Sequence, residues 1–316
     1  MKKLLAILMC LVCLCSFTCA AYADEAEDVE IWVIDSTSVM QYHQIFKAGC
    51  EAAAEDLGVK LVYQAPTTSD DVLEQTNIIE TAIATNPDAI CINPIDLEAA
   101  VVPVGFADEM GIPVFCVDRG INSDIPKATV ATNDIEATAV LAEEVGALMG
   151  GKGSILVIGH DNISKNGKER TYGFIDALNE KYPDIEVLDI QFGIDAALVT
   201  DQAKAMLTAY PEADVIYGTC EPTVMGILNA VKELELEHEV LVTGYDSGTQ
   251  IMTAVRDGVM LGAITQSPYE QGYVLVELAY NYIMGETDIP KTVDAPFYFY
   301  NAENIDSPEV AACLYE

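Results

Sequence analysis

Two aspartates with matching surroundings are the residues of this sequence that most clearly suggest chemistry. Asp118 follows the segment 114–117, and Asp246 follows the segment 242–245. Both segments are short and typical of buried strands, so each aspartate stands at the carboxyl end of a strand, where open α/β sheets bind their ligands. A single aspartate at such a place is usually a turn former or a helix cap. Two aspartates in equivalent places favour ligand binding.

A longer repeat surrounds these aspartates. The segment 86–90 (NPDAI) resembles the segment 210–216 (YPEADVI), and the offset between the two prolines is 124 residues. The offset between Asp118 and Asp246 is 128 residues. Two matches at nearly the same offset predict that the chain contains two similar lobes.

Motifs for catalysis, nucleotide binding and metal binding are missing. No Gly-x-Gly-x-x-Gly follows the first apolar run, and the glycines within 150–153 precede a strand, whereas a phosphate loop precedes a helix. Residues 244–248 (GYDSG) place the serine one position too late for a nucleophile elbow. Beyond residue 23 there is no Cys-x-x-Cys pair, and no His-x-x-x-His occurs. The sequence therefore predicts a protein that is not an enzyme and holds no cofactor or metal, and an exported α/β enzyme is the weakest alternative.

The composition predicts a folded, acidic protein. The 316 residues include 15 Lys and Arg against 51 Asp and Glu, a formal net charge of −36, and 51% of them are hydrophobic. This apolar share supplies one large or two medium cores and excludes a disordered acidic tail. Nucleic acid is excluded as a partner, because phosphate binding needs clustered Lys and Arg.

The first 23 residues have the features of a secretory signal. Lys2 and Lys3 precede the apolar stretch 4–15, and residues 21–23 (AYA) form a small-x-small cleavage site. About a dozen apolar residues are too few for a transmembrane helix. Lipid attachment at Cys19 is the weaker alternative, because the residues before it match the usual context poorly. Both alternatives predict an exported protein, periplasmic or at the cell surface.

An odd number of cysteines remains beyond the signal, which excludes a disulfide scaffold in so long a chain. Cys91 and Cys116 lie in apolar runs typical of strands, and this predicts small buried hydrophobic side chains. A disulfide between these two is the alternative if their strands are neighbours. The five cysteines are Cys50, Cys91, Cys116, Cys220 and Cys313.

Strand-like and helix-like segments alternate along the rest of the chain. Short runs rich in Val, Ile and Leu, such as Val29–Asp35, Ala89–Asn93 and Pro113–Val117, are separated by amphipathic segments such as Tyr42–Leu57 and Asp71–Thr85. The runs are almost continuously apolar, as in parallel strands that are covered on both faces. A spacing of about 25 to 30 residues is typical of βαβ units. The sequence therefore predicts an α/β, doubly wound fold.

Five short motifs occur in order along the chain: Ile92-Asn93-Pro94, Val117-Asp118-Arg119, Glu169-Arg170 before Gly173-Phe174, Gly244-Tyr245-Asp246 and Ile264-Thr265-Gln266. Together they resemble the ribose-binding-protein type of periplasmic sugar-binding protein, which is a type I solute-binding protein of ABC transporters. The resemblance extends over essentially the whole chain after the signal.

The resemblance implies two similar doubly wound parallel-sheet lobes joined by three hinge strands, with exchange near Thr132, Thr265 and Thr292. The N-terminal lobe would contain residues 24–131 and 265–292, and the C-terminal lobe residues 132–264 and 293–316. The implied function is that of a monomer that captures a small neutral sugar or sugar-like polyol between two closing lobes and delivers it to the membrane subunits of an ABC permease. Presentation of the ligand to a chemoreceptor or a sensor kinase is the alternative function.

The resemblance also assigns ligand contacts, and their chemistry suits a sugar. Carboxylates accept hydrogen bonds from hydroxyl groups, guanidinium groups donate to hydroxyl and ring oxygens, and aromatic rings stack on the C–H faces of sugars. For Tyr42 and His43, the alternative is that they merely begin a surface helix. The expected contacts are Tyr42, His43, Asn93, Asp118, Arg119, Arg170, Cys220, Asp246 and Gln266.

Two positions depart from the ribose binders. Cys220-Glu221 stands where they have Asn followed by Asp, and Ile194 stands where they have an aromatic residue of the second lobe. Loss of an amide that holds a hydroxyl leaves a buried polar group unsatisfied, which costs about 1–3 kcal/mol. The expected ligand is therefore a monosaccharide or polyol other than ribose.

Overall fold

The computed structural model of this protein describes residues 29–68, 71–237 and 239–315. The predicted signal Met1–Ala23, and with it the lipid-attachment alternative at Cys19, lies outside the described residues. No helix within the described ranges is both long enough and apolar enough to cross a membrane.

The described chain folds as two compact units. The first contains the described residues up to Ala131 and the segment Pro268–Val293. The second contains Thr132–Ser267 and the residues from Asp294 onward. The lobe borders and hinge strands expected from the sequence stay a prediction.

Alternating strands and helices build the first unit. In chain order its elements are β1 (Glu30–Ile34), α1 (Gln41–Leu57), β2 (Lys60–Gln64), α2 (Val72–Thr85), β3 (Ala89–Ile92), α3 (Val101–Glu109), β4 (Val114–Val117), β5 (Thr129–Thr132), and, after the second unit, α9 (Pro268–Ile283) and β11 (Thr292–Ala295). The last residue of β5 and the last two residues of β11 are counted with the second unit. The strands form one sheet in the order β11-β5-β4-β3-β1-β2. The neighbours from β5 to β2 pair in parallel.

The second unit repeats this plan. In chain order its elements are α4 (Asp134–Leu148), β6 (Lys152–Gly159), α5 (Lys165–Lys181), β7 (Asp184–Phe192), α6 (Ala196–Ala209), β8 (Val215–Gly218), α7 (Glu221–Glu233), β9 (Leu241–Tyr245), α8 (Thr249–Arg256), β10 (Met260–Gln266), β12 (Phe297–Tyr300) and α10 (Pro308–Ala311). The sheet order is β12-β10-β9-β8-β6-β7. All its pairs are parallel except β10–β12, which is antiparallel.

Equivalent strands occupy equivalent places in the two sheets. Strand β4 is third in the first sheet and β9 is third in the second, while β1 and β6 are both fifth. The prediction of two similar α/β units built on parallel sheets is confirmed. The repeat around Asp118 and Asp246 therefore corresponds to one position in a duplicated fold.

The apolar strands are covered on both faces, as their composition predicts. Successive residues of β6 alternate between two hydrophobic clusters: Leu156 and Ile158 pack into one, and Ile155 and Val157 into the other. All four residues of β3 and of β4 are buried. Because helices lie on both sides, almost every side chain of a central strand must be apolar.

Helix ends follow local side-chain chemistry. Helix α1 ends at Gly58, which adopts the left-handed conformation with φ of 70°. Helix α2 begins after Asp71, whose carboxylate accepts a hydrogen bond from the backbone N–H of Glu74 at 2.8 Å. Asn133, Ser164 and Asp195 cap α4, α5 and α6 in the same way. These caps fix where each loop at the carboxyl edge of a sheet becomes a helix.

Two glycines let α1 and α9 pack closely in the first unit. A Cβ atom on Gly49 would lie 2.0 Å from the backbone oxygen of Tyr269, and one on Gly272 would lie 2.2 Å from the backbone oxygen of Phe46. Backbone atoms cannot yield as a flexible side chain does, so both positions exclude any larger residue.

The five cysteines from Cys50 to Cys313 are buried free thiols. Cys91 and Cys116 lie on neighbouring strands, but Cys91 stands opposite Phe115 and Cys116 opposite Ile92. Since successive side chains of a strand point to opposite faces, this register places the two sulfurs on different faces of the sheet. The disulfide alternative for this pair is therefore wrong, and the expectation of buried hydrophobic thiols is confirmed.

Candidate functional site

Asp118 and Asp246 share an unusual backbone conformation. Each directly follows its strand, with φ of 60° for Asp118 and 76° for Asp246. Their backbone N–H groups donate to equivalent acceptors, the carbonyl oxygens of Val130 at 2.8 Å and Ile264 at 2.7 Å. The left-handed region costs a non-glycine residue about 1 kcal/mol, and Asp tolerates it better than most residues. Strain kept at the same place in both units indicates a functional constraint on both carboxylates.

A buried cluster of polar side chains lies at the carboxyl end of the first sheet. Asp35 follows β1 and Asn93 follows β3, while His43 comes from α1 and Tyr63 from β2. The Asp35 oxygens lie 2.9 and 2.8 Å from His43 Nδ1, and the Asn93 amide nitrogen donates to Asp35 Oδ1 at 3.0 Å. The Tyr63 hydroxyl also donates to the Asp35 carboxylate. The structure thus brings two of the predicted contacts, His43 and Asn93, together around Asp35.

Gln75 from α2 holds the two strand ends of this cluster in place. Its Nε2 donates to the backbone oxygen of Asp35 at 3.0 Å and to that of Asn93 at 2.8 Å. Its Oε1 accepts from the backbone N–H of Ile95 at 2.8 Å. The backbone from which Asp35 and Asn93 project is therefore held by a fully buried amide.

Tyr42 and Arg119 complete the predicted set in the first unit. The Tyr42 hydroxyl donates to the Gln271 side chain, and the Tyr42 ring meets the His43 ring edge-on at a centroid distance of 5.1 Å. Tyr42 and His43 lie in the first turn of α1 and both are buried, and their assignment as ligand contacts stays a prediction. The Arg119 side chain is 34% exposed, and its Nε lies 3.4 Å from Asp118 Oδ2.

In the second unit, Arg170 is the centre of a buried ionic group. Its Nε donates to Asp134 Oδ1 at 2.9 Å, and its guanidinium carbon lies 4.0 Å from the centroid of the Tyr245 ring. The Tyr245 hydroxyl donates to the same Asp134 oxygen at 2.6 Å. Burial, and next the Asp134 carboxylate, raises the pKa of Tyr245, so its phenol remains a donor. Arg170 is 4% exposed, in contrast to Arg119.

A chain of hydrogen bonds orients Asp246. Gln266 Nε2 donates to Asp246 Oδ1 at 2.7 Å, and Thr132 Oγ1 donates to Gln266 Oε1 at 3.0 Å. The backbone N–H of Glu221 donates to Asp246 Oδ2 at 3.0 Å. The structure therefore brings Gln266 directly against Asp246, so that the Gln266 amide positions the carboxylate.

Cys220 and Glu221 begin helix α7 beside Asp246. Burial raises the pKa of the Cys220 thiol to about 12, so the thiol is neutral. Burial, and next the Asp246 carboxylate, raises the pKa of Glu221 to about 7. Gly248 leaves room for this carboxyl group, since a Cβ atom there would lie 2.8 Å from Glu221 Oε1.

The raised pKa of Glu221 predicts a loss of stability as pH rises. In the unfolded chain the group titrates near 4.5, so between about pH 4.5 and 7 the folded protein binds more protons and the free energy of unfolding falls. From pH 5 to pH 8 we expect the free energy of unfolding of Glu221→Gln to rise by about 1–2 kcal/mol relative to that of the parent protein. Because the carboxyl group is only half-buried, this value is smaller than the full pKa shift would give. Urea unfolding at both pH values measures the gain. The exposed Glu309, also in a first helical turn, supplies the control Glu309→Gln, and equal gains for both variants would contradict the prediction.

Several residues of these clusters were not predicted from the sequence, among them Asp35, Tyr63, Gln75, Asp134, His160 and Gln271. Asp35 and His160 hold equivalent places, each directly after the fifth strand of its sheet, and the His160 ring Nδ1 lies 2.7 Å from Thr219 Oγ1. Asp35 carried the same sequence signal as Asp118, an acid directly after an apolar run. Nothing local marks Tyr63 or Asp134, which join their clusters through tertiary contacts. Among the described residues, no group of three or more His, Cys, Asp or Glu side chains is arranged to hold a metal ion.

Comparison with known proteins places this geometry in context. Residues 31–287 match the sequence profile described as "Periplasmic binding protein domain". The ribose import binding protein of Bacillus subtilis is 22% identical over 250 residues, which cover 79% of this chain and 80% of that protein. The putative rhizopine-binding protein of Rhizobium meliloti is 26% identical over 273 residues, which cover 84% and 87%. A crystal structure of an ABC transporter solute-binding protein from Agrobacterium vitis, bound with alpha-D-tagatopyranose, superposes with a TM-score of 0.83 at 26% identity and covers 92% of this chain and 100% of that one.

Proposed function

This chain belongs to the periplasmic binding protein domain family, and from that premise we propose that it captures a small neutral sugar or sugar-like polyol and delivers it to an ABC permease. The relatives described above are binding proteins, and we extend that to this chain as a binder without enzymatic activity. We place it outside the cytoplasmic membrane, as a monomer that works with the membrane subunits of the permease.

The observation that carries the proposal is the pair of aspartates in the left-handed conformation. Asp118 and Asp246 end equivalent strands of two equivalent sheets, and each is held by the same backbone hydrogen bond. Carboxylates fixed in this way accept hydrogen bonds from the hydroxyl groups of a sugar, and each such charge-assisted bond is worth about 1.5–3 kcal/mol. A polyhydroxyl ligand also suits a chain with a net charge of −36 better than a polyanion does.

The remaining proposed contacts supply complementary chemistry. Arg119 and Arg170 donate to hydroxyl and ring oxygens, and Asn93 and Gln266 offer amide groups. Aromatic and imidazole rings provide surfaces for the C–H faces of a sugar. We propose as ligand contacts Tyr42, His43, Asn93, Asp118, Arg119, Arg170, Cys220, Asp246 and Gln266.

The binding mechanism we infer is a shift between open and closed arrangements. A ligand that contacts side chains of both units stabilises the arrangement in which both reach it, because only its differential affinity can move the equilibrium. The Agrobacterium vitis protein was bound with alpha-D-tagatopyranose, and a protein from Actinobacillus succinogenes with D-allose. The buried thiol of Cys220, where ribose binders have an amide, favours a sugar other than ribose.

A thermal-shift screen of pentoses, hexoses, inositols and amino acids, each at about 1 mM, tests the proposal. We expect at least one sugar or polyol to raise the Tm, because a ligand at 100 times its Kd stabilises the folded state by about 2.7 kcal/mol. Sucrose at the same concentration is the control, since osmolyte effects need far higher concentrations. Stabilisation by amino acids alone would overturn the sugar assignment. For the sensory alternative, a neighbouring gene for a sensor kinase in place of permease and ATPase genes decides the matter.

A further inference from the structure

We propose that Asp35 is a positioning residue that sets ligand specificity: it turns the Asn93 amide so that the carbonyl oxygen faces the bound solute. This part of the first unit then accepts a hydrogen-bond donor, a hydroxyl or amine, from the ligand. The inference rests on the proposed function, because it assigns the chemistry that one of the ligand contacts recognises.

The Asp35 carboxylate is surrounded by donors. The backbone N–H of Ser36 donates at 2.7 Å, His43 Nδ1 lies 2.8 Å from Oδ2, and Asn93 Nδ2 donates to Oδ1 at 3.0 Å. The Tyr63 hydroxyl is the fourth donor. A carboxylate offers about four acceptor positions, so these four groups use them all. Asp35 itself is 0% exposed, which leaves no place on it for a ligand.

Tyr63 supports the assignment of Asp35 as an acceptor. Burial, and next the Asp35 carboxylate, raises the pKa of the Tyr63 phenol far above its usual range. The phenol therefore keeps its proton and donates a hydrogen bond to Asp35. Asp35 Oδ1 accepts from the Ser36 N–H and Oδ2 accepts from the Tyr63 hydroxyl, so both oxygens of Asp35 act as hydrogen-bond acceptors.

The backbone of Asn93 is held by hydrogen bonds, and one side-chain atom, Oδ1, has no partner among the described residues. Its N–H donates to the backbone oxygen of Ile34 at 2.9 Å, and its C=O accepts from Gln75 Nε2 at 2.8 Å. Because Asp35 only accepts, the amide nitrogen must face it, and this leaves the amide oxygen on the other side. Asn93 Oδ1 has no partner among the described residues, although the residue is 1% exposed.

A second buried atom without a partner belongs to the loop after the neighbouring strand β1. Ser36 Oγ is also buried without a partner among the described residues; Ser36 is the second residue after β1, and Asn93 directly follows the neighbouring strand β3. Each unsatisfied buried polar atom costs about 1–3 kcal/mol. Two such atoms at the ends of adjacent strands indicate a place where polar groups of a ligand are received, and at Asn93 the received group must be a donor.

The orientation of Asn93 is measurable in the free protein by NMR. In the isotopically labelled, otherwise unmodified chain we expect a coupling through the hydrogen bond between Asn93 Nδ2 and the Asp35 carboxylate carbon, with slow exchange of the Asn93 amide protons. Exposed Asn162 is the internal control with fast exchange. Fast exchange at Asn93 and no coupling would overturn the proposal. This measurement needs no ligand and no variant, so it decides the orientation even if the proposed function fails or a variant does not fold.

Sugar analogues test the consequence for specificity. The probes are D-allose, D-tagatose and D-arabinose, each with its monodeoxy and monodeoxyfluoro forms. Fluorine accepts but cannot donate, so at the position that meets Asn93 we expect the fluoro form to bind about tenfold or more weakly than the deoxy form. In Asp35→Asn the Asn93 amide is free to turn. We therefore expect the ratio of the Kd of the fluoro form to the Kd of the deoxy form to approach one at that position alone.

The matched control is Asp195→Asn, an Asp to Asn change at a helix cap, which we expect to leave every ratio unchanged. If a sugar binds to both the parent protein and Asp35→Asn and no ratio moves, the specificity role of Asp35 is refuted. If none of the three sugars binds, the sugar assignment for these probes fails, while the NMR result still stands for or against the orientation of Asn93.

Discussion

Replacing Arg170 with methionine is expected to lower the free energy of unfolding by about 3–5 kcal/mol and to abolish sugar binding. Arg170 and Asp134 are both buried and joined at 2.9 Å, and the Arg170 guanidinium also lies on the Tyr245 ring. Methionine fills a similar volume but removes the positive charge, so the Asp134 carboxylate stays in the interior without its guanidinium. Urea unfolding and isothermal titration with a sugar from the screen measure the two effects.

A second arginine–aspartate pair provides the matched control. Arg256 donates to Asp306 at 3.0 Å, but the two side chains are 46% and 83% exposed. Because water screens such a pair, we expect Arg256→Met to cost less than about 1 kcal/mol and to leave binding unchanged. Equal losses from the two substitutions would contradict the role of burial at Arg170.

A double variant separates stability from binding. Asp134→Asn combined with Arg170→Met removes the buried charge, so we expect it to recover at least half of the lost stability. Binding should stay absent, because the guanidinium that we propose as a ligand contact is still missing. Recovery of binding together with stability would show that Arg170 acts only in folding.

Asp118→Asn and Asp246→Asn are each expected to weaken sugar binding by about 10- to 150-fold, which corresponds to the loss of a charge-assisted hydrogen bond. Asparagine has the same shape and tolerates the left-handed conformation that both residues adopt. The variants should therefore fold, with a change in Tm of only a few degrees. Isothermal titration measures the affinity, and thermal unfolding verifies the fold.

The control for these two variants is Asp71→Asn. Asp71 caps α2 by accepting from the backbone N–H of Glu74, and asparagine is an equally good cap. We expect its affinity to lie within about twofold of the parent protein. Unchanged affinity in both Asp118→Asn and Asp246→Asn would refute the site assignment, and a loss in only one would confine the carboxylate contact to one unit.

Local patterns in the sequence determined the fold class and the duplicated aspartates. Buried parallel strands need nearly continuous apolar runs, and Gly58 and Asp71 end and begin helices through contacts within a few residues of themselves. A repeated fold repeats these patterns at a constant offset, which is why Asp118 and Asp246 could be matched without coordinates. Their shared place in the two sheets and their shared backbone conformation follow from the same duplication.

Only the tertiary structure decided how the polar side chains are used. The sequence treats Arg119 and Arg170 alike, yet one is partly exposed and the other is buried against Asp134. Asp35 forms hydrogen bonds with Tyr63 and Asn93, which are 28 and 58 residues away along the chain. The register of β3 and β4 alone places the side chains of Cys91 and Cys116 on opposite faces of the sheet. Periodicity and turn chemistry act over a few residues, whereas burial, register and the direction of an amide depend on which strands become neighbours. For that reason the sequence alone could indicate where ligand chemistry lies, and the fold was needed to show which atoms remain to perform it.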